Sequence, residues 1–186
     1  MTPNLRFHSK FTASRFLISL VEDWAKLISN VYLKLKKNNN LGKVYYKLHP
    51  GFHNIAVARE LCTADAPYLH LPIPRDEEQN DFYFNLVGMK AGDLWLGISD
   101  TAKEDEWVGM DGKLVDWFKW RPGEPNNKNY GATKPRPGEH WLEMDLTERK
   151  HLKEWNDTWF SSKASERLDT NNNNIAICTF IVPKKC

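Results

Sequence analysis

Leu94-Trp-Leu-Gly-Ile-Ser-Asp100 is an apolar run that closes on an acid, and the next strand-like run, Trp141-Leu-Glu-Met-Asp-Leu146, comes some forty positions later. Between them stand Gly109, Gly112, Pro122-Gly123, Pro125, Gly131, Pro135 and Pro137-Gly138. Glycine and proline at that density interrupt both helix and strand periodicity, so the segment reads as one long irregular loop region. A long loop held between regular elements of a compact domain usually carries its function.

Working outward, the flanks read as an α+β unit. Lys43-Val-Tyr-Tyr-Lys-Leu48 alternates like a strand. From Asn54 to Asp65, Ile55, Ala58 and Leu61-Cys62 recur at helical spacing, with Asn54 as the capping residue. Pro72 and Pro74 break the following segment. A second helix starts at Asp76, with Glu77 and Glu78 in its first turn and Phe82 and Leu86 turned inward. Leu94–Ile98 reads as a buried strand, and Trp141–Leu146 and Ile175–Val182 as the closing strands.

The N-terminal part has a different pattern. Leu17, Val21, Trp24, Ile28, Val31 and Leu35 recur at alternating steps of four and three, which places them on one stripe of an amphipathic helix over about residues 15–37. So short a helix needs a partner surface in water. The partner is either a second copy of the chain, giving a homo-oligomer through a neck, or the chain's own domain; a membrane interface is disfavoured by Glu22 and Asp23. Asn38-Asn-Asn40 and Gly42 follow as a linker, so residues 1–40 are read as an extension and 41–186 as the domain. The run Phe16–Val21 resembles a signal h-region cut short by those two acids, and no segment reaches the length of a membrane span.

Composition narrows the function. Of 186 residues, 26 are Lys or Arg and 24 are Asp or Glu, a balance that argues against a nucleic-acid binder working by phosphate neutralisation. Eight tryptophans imply an aromatic-rich core or aromatic ligand faces. Three cysteines, Cys62, Cys178 and Cys186, leave an odd thiol.

Oxygen-bearing side chains collect around the loop region. Glu124 and Asn126 flank Pro125, Glu139 follows the loop, and Asn156-Asp157 come next to Trp155. Calcium takes about 6–8 oxygens. Five such side chains plus one backbone carbonyl give about six, leaving about two positions for a ligand. Taken singly these residues carry little weight, since Asn and Asp are common in turns for backbone reasons.

The order of the features is more specific than any of them. Cys62 in a helix, Trp95-Leu-Gly-Ile-Ser-Asp100, Trp107-Val-Gly109, Trp117 to Trp120, Gly123-Glu-Pro-Asn126, Glu139-His-Trp-Leu-Glu143, Trp155-Asn-Asp157 and Ile177-Cys-Thr179 come in series. This series closely resembles the C-type lectin domain over about residues 43–182. The resemblance implies that fold: two helices, two small antiparallel sheets and a long loop region. It implies that Glu124, Asn126, Glu139, Asn156 and Asp157 hold calcium, that the bond before Pro125 is cis, and that Cys62 pairs with Cys178. It also implies a function, binding of mannose-type glycans through neighbouring hydroxyls, with Glu124, Asn126, Glu139 and Asn156 touching the sugar and no catalysis.

Three departures from the family pattern stand out. The inner disulfide is missing, with Trp141 and Phe160 where its cysteines would be. The loop between Asn126 and Glu139 is longer than usual. At a second calcium site found in some members, Asp100 and Glu104 match two ligands, but Asn127 and His140 stand where acids are expected, and an imidazole suits calcium poorly. Asn156-Asp-Thr158 is also a glycosylation sequon, and a glycan there would block the amide that calcium needs.

Enzyme motifs of the zinc-protease, serine-hydrolase and phosphate-loop kinds are missing from the sequence, and Pro50-Gly51 separates His49 from His53. The alternative to a lectin is a calcium-independent domain of the same fold that binds a protein. Either function places the chain outside the cell, although it carries no clear signal peptide.

Overall fold

The computed structural model describes residues 34–38, 42–89, 92–127, 138–159 and 174–182. They form β1 (Lys34–Asn38), β2 (Gly42–His53), α1 (Ile55–Asp65), α2 (Glu77–Val87), β3 (Leu94–Ser99), β4 (Val108–Gly109), β5 (Glu139–Met144), β6 (Trp155–Trp159) and β7 (Asn174–Val182). Two compact units result. Among the described residues, one holds those up to Tyr45 and from Ile181 onward, and the other those from Tyr46 to Phe180.

Both helices start where their caps place them. The Asn54 side chain accepts from Val57 N–H at 2.9 Å, and Asp76 accepts from Gln79 N–H at 2.7 Å. Each satisfies a backbone donor that the first turn leaves unpaired. In α1, Ile55, Ala58 and Cys62 turn into the core. In α2 the buried face is Asn80, Phe82, Tyr83 and Val87, while the expected Leu86 is only half-buried.

The strands follow the order β1-β2-β7-β3-β5-β6, with β4 paired to β3. Where two separate antiparallel sheets were expected, a parallel β3–β7 pair, Leu94 beside Ile175, joins them into one mixed sheet. A second difference lies at the N-terminal extension. Lys34–Asn38 is a strand, so the last residues of the helix expected over 15–37 are extended; the rest of that helix lies outside the described residues.

Strand β3 is the centre of the core. Leu94, Leu96 and Ile98 are fully covered and Trp95 is 1% exposed, its indole N–H donating to the His53 carbonyl at 2.6 Å. Gly97 lets the segment before α2 lie against β3: its N–H donates to Pro72 O at 2.8 Å, and a Cβ there would sit 2.7 Å from Leu71 O. From the other side, Leu142, Met144, Leu146 and Trp155 complete the apolar interior. Cys62 and Cys178, both fully buried, are joined by a disulfide across 116 positions. Trp141, where the missing inner cysteine would be, is buried with the Arg59 guanidinium 4.7 Å above its ring; Phe160 lies outside the described residues.

Candidate functional site

The loop after β4 returns to the sheet at Trp155. Trp155 N–H donates to Lys119 O at 2.7 Å and Arg121 N–H to Trp155 O at 2.9 Å, so Lys119–Arg121 runs along the start of β6. Beneath them Trp107, Trp117, Phe118, Trp120 and Trp155 form a cluster of edge-on and stacked rings. Gly123, at φ +94°, takes a backbone conformation that side chains disfavour, and Glu124 N–H closes the turn on Arg121 O at 3.0 Å.

The Glu124–Pro125 bond is cis, as expected. Across it the Asn126 side-chain amide donates to the Glu124 carboxylate. Strand β6 contributes Asp157, 1% exposed, whose two oxygens accept the backbone N–H groups of Asn126 at 3.1 Å and Asn127 at 2.8 Å. Asn127 continues the chain of bonds. Its amide oxygen accepts from Glu139 N–H at 2.7 Å, and its NH2 donates to Glu104 at 2.6 Å. Glu124, Asn126, Glu139 and Asp157 are thereby linked in one network, with the carboxylates of Glu139 and Asp157 buried.

Asn156 is held by a different partner, lying opposite Glu143 in the β5–β6 register. Its NH2 donates to Glu143 at 3.1 Å, which leaves the amide oxygen as the end not committed to that bond. Asn174 donates to the other oxygen of Glu143. Burial, then the nearby Asp93 carboxylate, push the Glu143 carboxyl up to about 7, against the pull of the two amides. Glu143 and Asn174 are site neighbours that local sequence patterns did not reveal; only the strand register brings them to Asn156. The sequon Asn156-Asp-Thr158 lies within paired strand, with Thr158 buried.

A second cluster lies beside the first. Asp100, Glu104 and His140 bring one donor atom each to within 4.8 Å of one another. His49 and His53, by contrast, go to different partners: His49 to Asp65 at 2.9 Å and His53 to the Pro50 carbonyl at 3.0 Å. Among the described residues, no helix is long and apolar enough to cross a membrane.

Comparison with known proteins places the fold in a family. The family model described as "Lectin C-type domain" matches residues 52–180. The low affinity immunoglobulin epsilon Fc receptor of Mus musculus is 32% identical over 137 residues, which are 69% of this chain and 40% of that receptor. The chain thus spans well under half of that relative's length. Among solved structures, the trimeric Kupffer cell C-type lectin receptor Clec4f matches with a TM-score of 0.61 at 17% identity, over 95% of this chain and 100% of that one. The cow CD23 carbohydrate-recognition domain, solved in the presence of GlcNAc2Man3 oligosaccharide, matches with a TM-score of 0.57 at 20% identity, over 82% and 100%. At those identities the two structures speak to the fold.

Proposed function

Because the chain belongs to the C-type lectin domain family, whose members are non-enzymatic binding modules, we propose that it binds mannose-type sugars through a calcium ion held by Glu124, Asn126, Glu139, Asn156 and Asp157. The observation that carries this reading is the meeting of the Glu124 and Asn126 side chains across the cis bond, directly beside the buried Asp157 carboxylate. The donor set fits the ion. Every side chain in it offers a hard oxygen, none offers sulfur or imidazole, and burying carboxylates such as Asp157 is offset by hydrogen bonds and by a cation.

Calcium, when bound, supplies a positive centre to which two neighbouring hydroxyl oxygens of a sugar can add. The protein's own groups then select the sugar. Glu124 and Glu139 accept hydrogen bonds from the two hydroxyls, and Asn126 and Asn156 donate to their oxygens; bonds of this charge-assisted kind are stronger than neutral ones. Paired donors and acceptors on each side of the ion favour hydroxyls that are both equatorial, as in mannose. The cow CD23 domain, which shares the fold, was solved in the presence of a mannose-containing oligosaccharide.

A second reading rests on the Fc receptor relative, whose name records a protein ligand: a calcium-independent domain that binds a protein. An oxidising, extracellular location suits both readings, given the buried Cys62–Cys178 bridge. The part of the stripe that precedes β1, Leu17 to Val31, would serve as a neck for a homo-oligomer, raising avidity for repeated sugars by effective concentration; a trimeric neighbour in the fold comparison supports it. Retention on a mannose resin in calcium and release by a chelator is the expected result. Retention that ignores the chelator, or none at all, would rule out the lectin reading and leave the protein-binding one.

A further inference from the structure

We propose that Asp100, Glu104 and His140 form a binding site for a late first-row divalent ion such as zinc, where other members of the family place a second calcium. The site shares none of the five residues proposed to hold the calcium, and Asn127 joins the two sites through its bonds to Glu104 and to Glu139 N–H. Asp100, at the end of β3, is 2% exposed, and one of its oxygens stands 2.9 Å from His140 Nδ1 while the other accepts Asp105 N–H at 3.1 Å. A Glu104 oxygen stands 3.7 Å from the same Nδ1. Among the described residues, neither carboxylate forms an ion pair with a lysine or arginine; Lys103 goes to Glu106.

The two separations to His140 suit zinc, and all three donor atoms lie within 4.8 Å of one another. Bonds of about 2.0–2.1 Å in a tetrahedral shell put the donor atoms roughly 3.3 Å apart, and the separations of 2.9 and 3.7 Å fall on either side of that value. Imidazole with carboxylates is a donor set for zinc and its neighbours, and it leaves the fourth position for water or an outside ligand. Calcium fits worse. It needs about 6–8 oxygens, and the neighbouring Asn127 gives its oxygen to Glu139 N–H and turns its NH2 toward Glu104.

The test uses the full chain with Cys186 alkylated, in excess calcium so that any calcium site is already filled. Cobalt serves as a coloured probe and zinc as the competitor. One equivalent of cobalt should bind with the visible absorption of a tetrahedral site and be displaced by zinc. His140→Ala should weaken the affinity by more than about tenfold, because losing a ligand costs at least as much as losing a residue that merely orients one. Glu104→Gln, at a half-exposed surface position, should weaken it as well without disturbing the core. His140→Asp should lose cobalt and take up one additional calcium. Displacement of cobalt by the calcium, no cobalt uptake, or unchanged affinity in His140→Ala and Glu104→Gln would each overturn the assignment.

Discussion

The Asp157 carboxylate holds the backbone N–H of Asn127 at 2.8 Å with one oxygen and that of Asn126 at 3.1 Å with the other. One buried side chain on β6 thereby fixes the loop that carries Glu124 and Asn126. Asp157→Asn has a single side-chain oxygen, so one backbone donor loses its acceptor and meets an NH2 instead. In chelator, the variant should be less stable by about 1–2 kcal/mol in urea unfolding. Calcium affinity should fall more than tenfold, about 1.4 kcal/mol or more. Unchanged stability in chelator would mean that the loop does not depend on this contact.

The hydrogen bond between Asn126 and Glu124 has a donor and an acceptor that can be exchanged. In the pair Glu124→Gln with Asn126→Asp, the amide and the carboxylate trade places, so their mutual contact survives while the pattern presented to a sugar reverses. On a glycan array the double variant should move its preference from mannose-type toward galactose-type sugars, with calcium still required. An unaltered array profile would count against Glu124 and Asn126 as the selecting residues.

Asn80 on α2 supports the site from behind. Its side-chain oxygen accepts the Trp155 indole N–H at 2.8 Å and its NH2 donates to Lys153 O at 3.0 Å, with Asn80 and Trp155 both fully buried. Asn80→Leu leaves a buried donor and a part-buried acceptor unpaired, each costing up to about 1–3 kcal/mol. The expected loss is about 2–4 kcal/mol by urea unfolding, after allowing for the added apolar volume. Because Trp155 precedes Asn156 and Asp157, calcium binding should weaken too. A loss below about 0.5 kcal/mol, the range of ordinary surface changes, would contradict this.

How much of this was readable in advance follows from the range of each interaction. The helix starts at Asn54 and Asp76 were visible because a cap acts over three residues. The buried β3 and the breaker-rich loop were visible for a similar reason. Strand β6 was not: Trp155–Trp159 is short, with a polar Asn-Asp-Thr centre, and becomes a strand only by pairing with β5. In Lys34–Asn38 the stripe continues through Leu35, yet one apolar residue among lysines satisfies a strand as readily as a helix. At the site, Glu124, Asn126, Glu139 and Asp157 were named from their order in the chain, and the structure links them. The partnership of Glu143 with Asn156 and Asn174 depends on strand register, which no local pattern encodes.

The Cys62–Cys178 bridge spans 116 positions. Closing so long a loop removes conformational freedom from the unfolded chain worth about 4–5 kcal/mol in the loop-entropy model. With a typical domain stable by only about 5–15 kcal/mol, the double variant Cys62→Ala with Cys178→Ala should be marginal and unfold at much lower urea. Since both sulfurs are fully buried, a reductant should act on the native protein only as fast as it opens. Rapid reduction under native conditions would show that the bridge is more accessible than the fold implies.

Asp93 connects the turn before β3 to the end of β5, accepting Leu146 N–H at 3.1 Å. Burial raises its carboxyl to about 6 from the ordinary 3.8, the Leu146 N–H opposes that, and Asp145 and Glu148 add to the rise while Arg121 counters it. Between about pH 4 and 6 the folded protein therefore holds a proton that the unfolded chain has released, so stability falls as pH rises through that window. Asp93→Asn keeps the acceptor for Leu146 and removes the charge. Relative to the parent, the variant should show no such step and gain about 1 kcal/mol at pH 7, well below the full linkage value because the group is partly exposed. Unfolding curves in chelator at pH 4 and pH 7 decide it: parallel stability profiles for the two proteins would show that Asp93 ionises no differently in the folded chain.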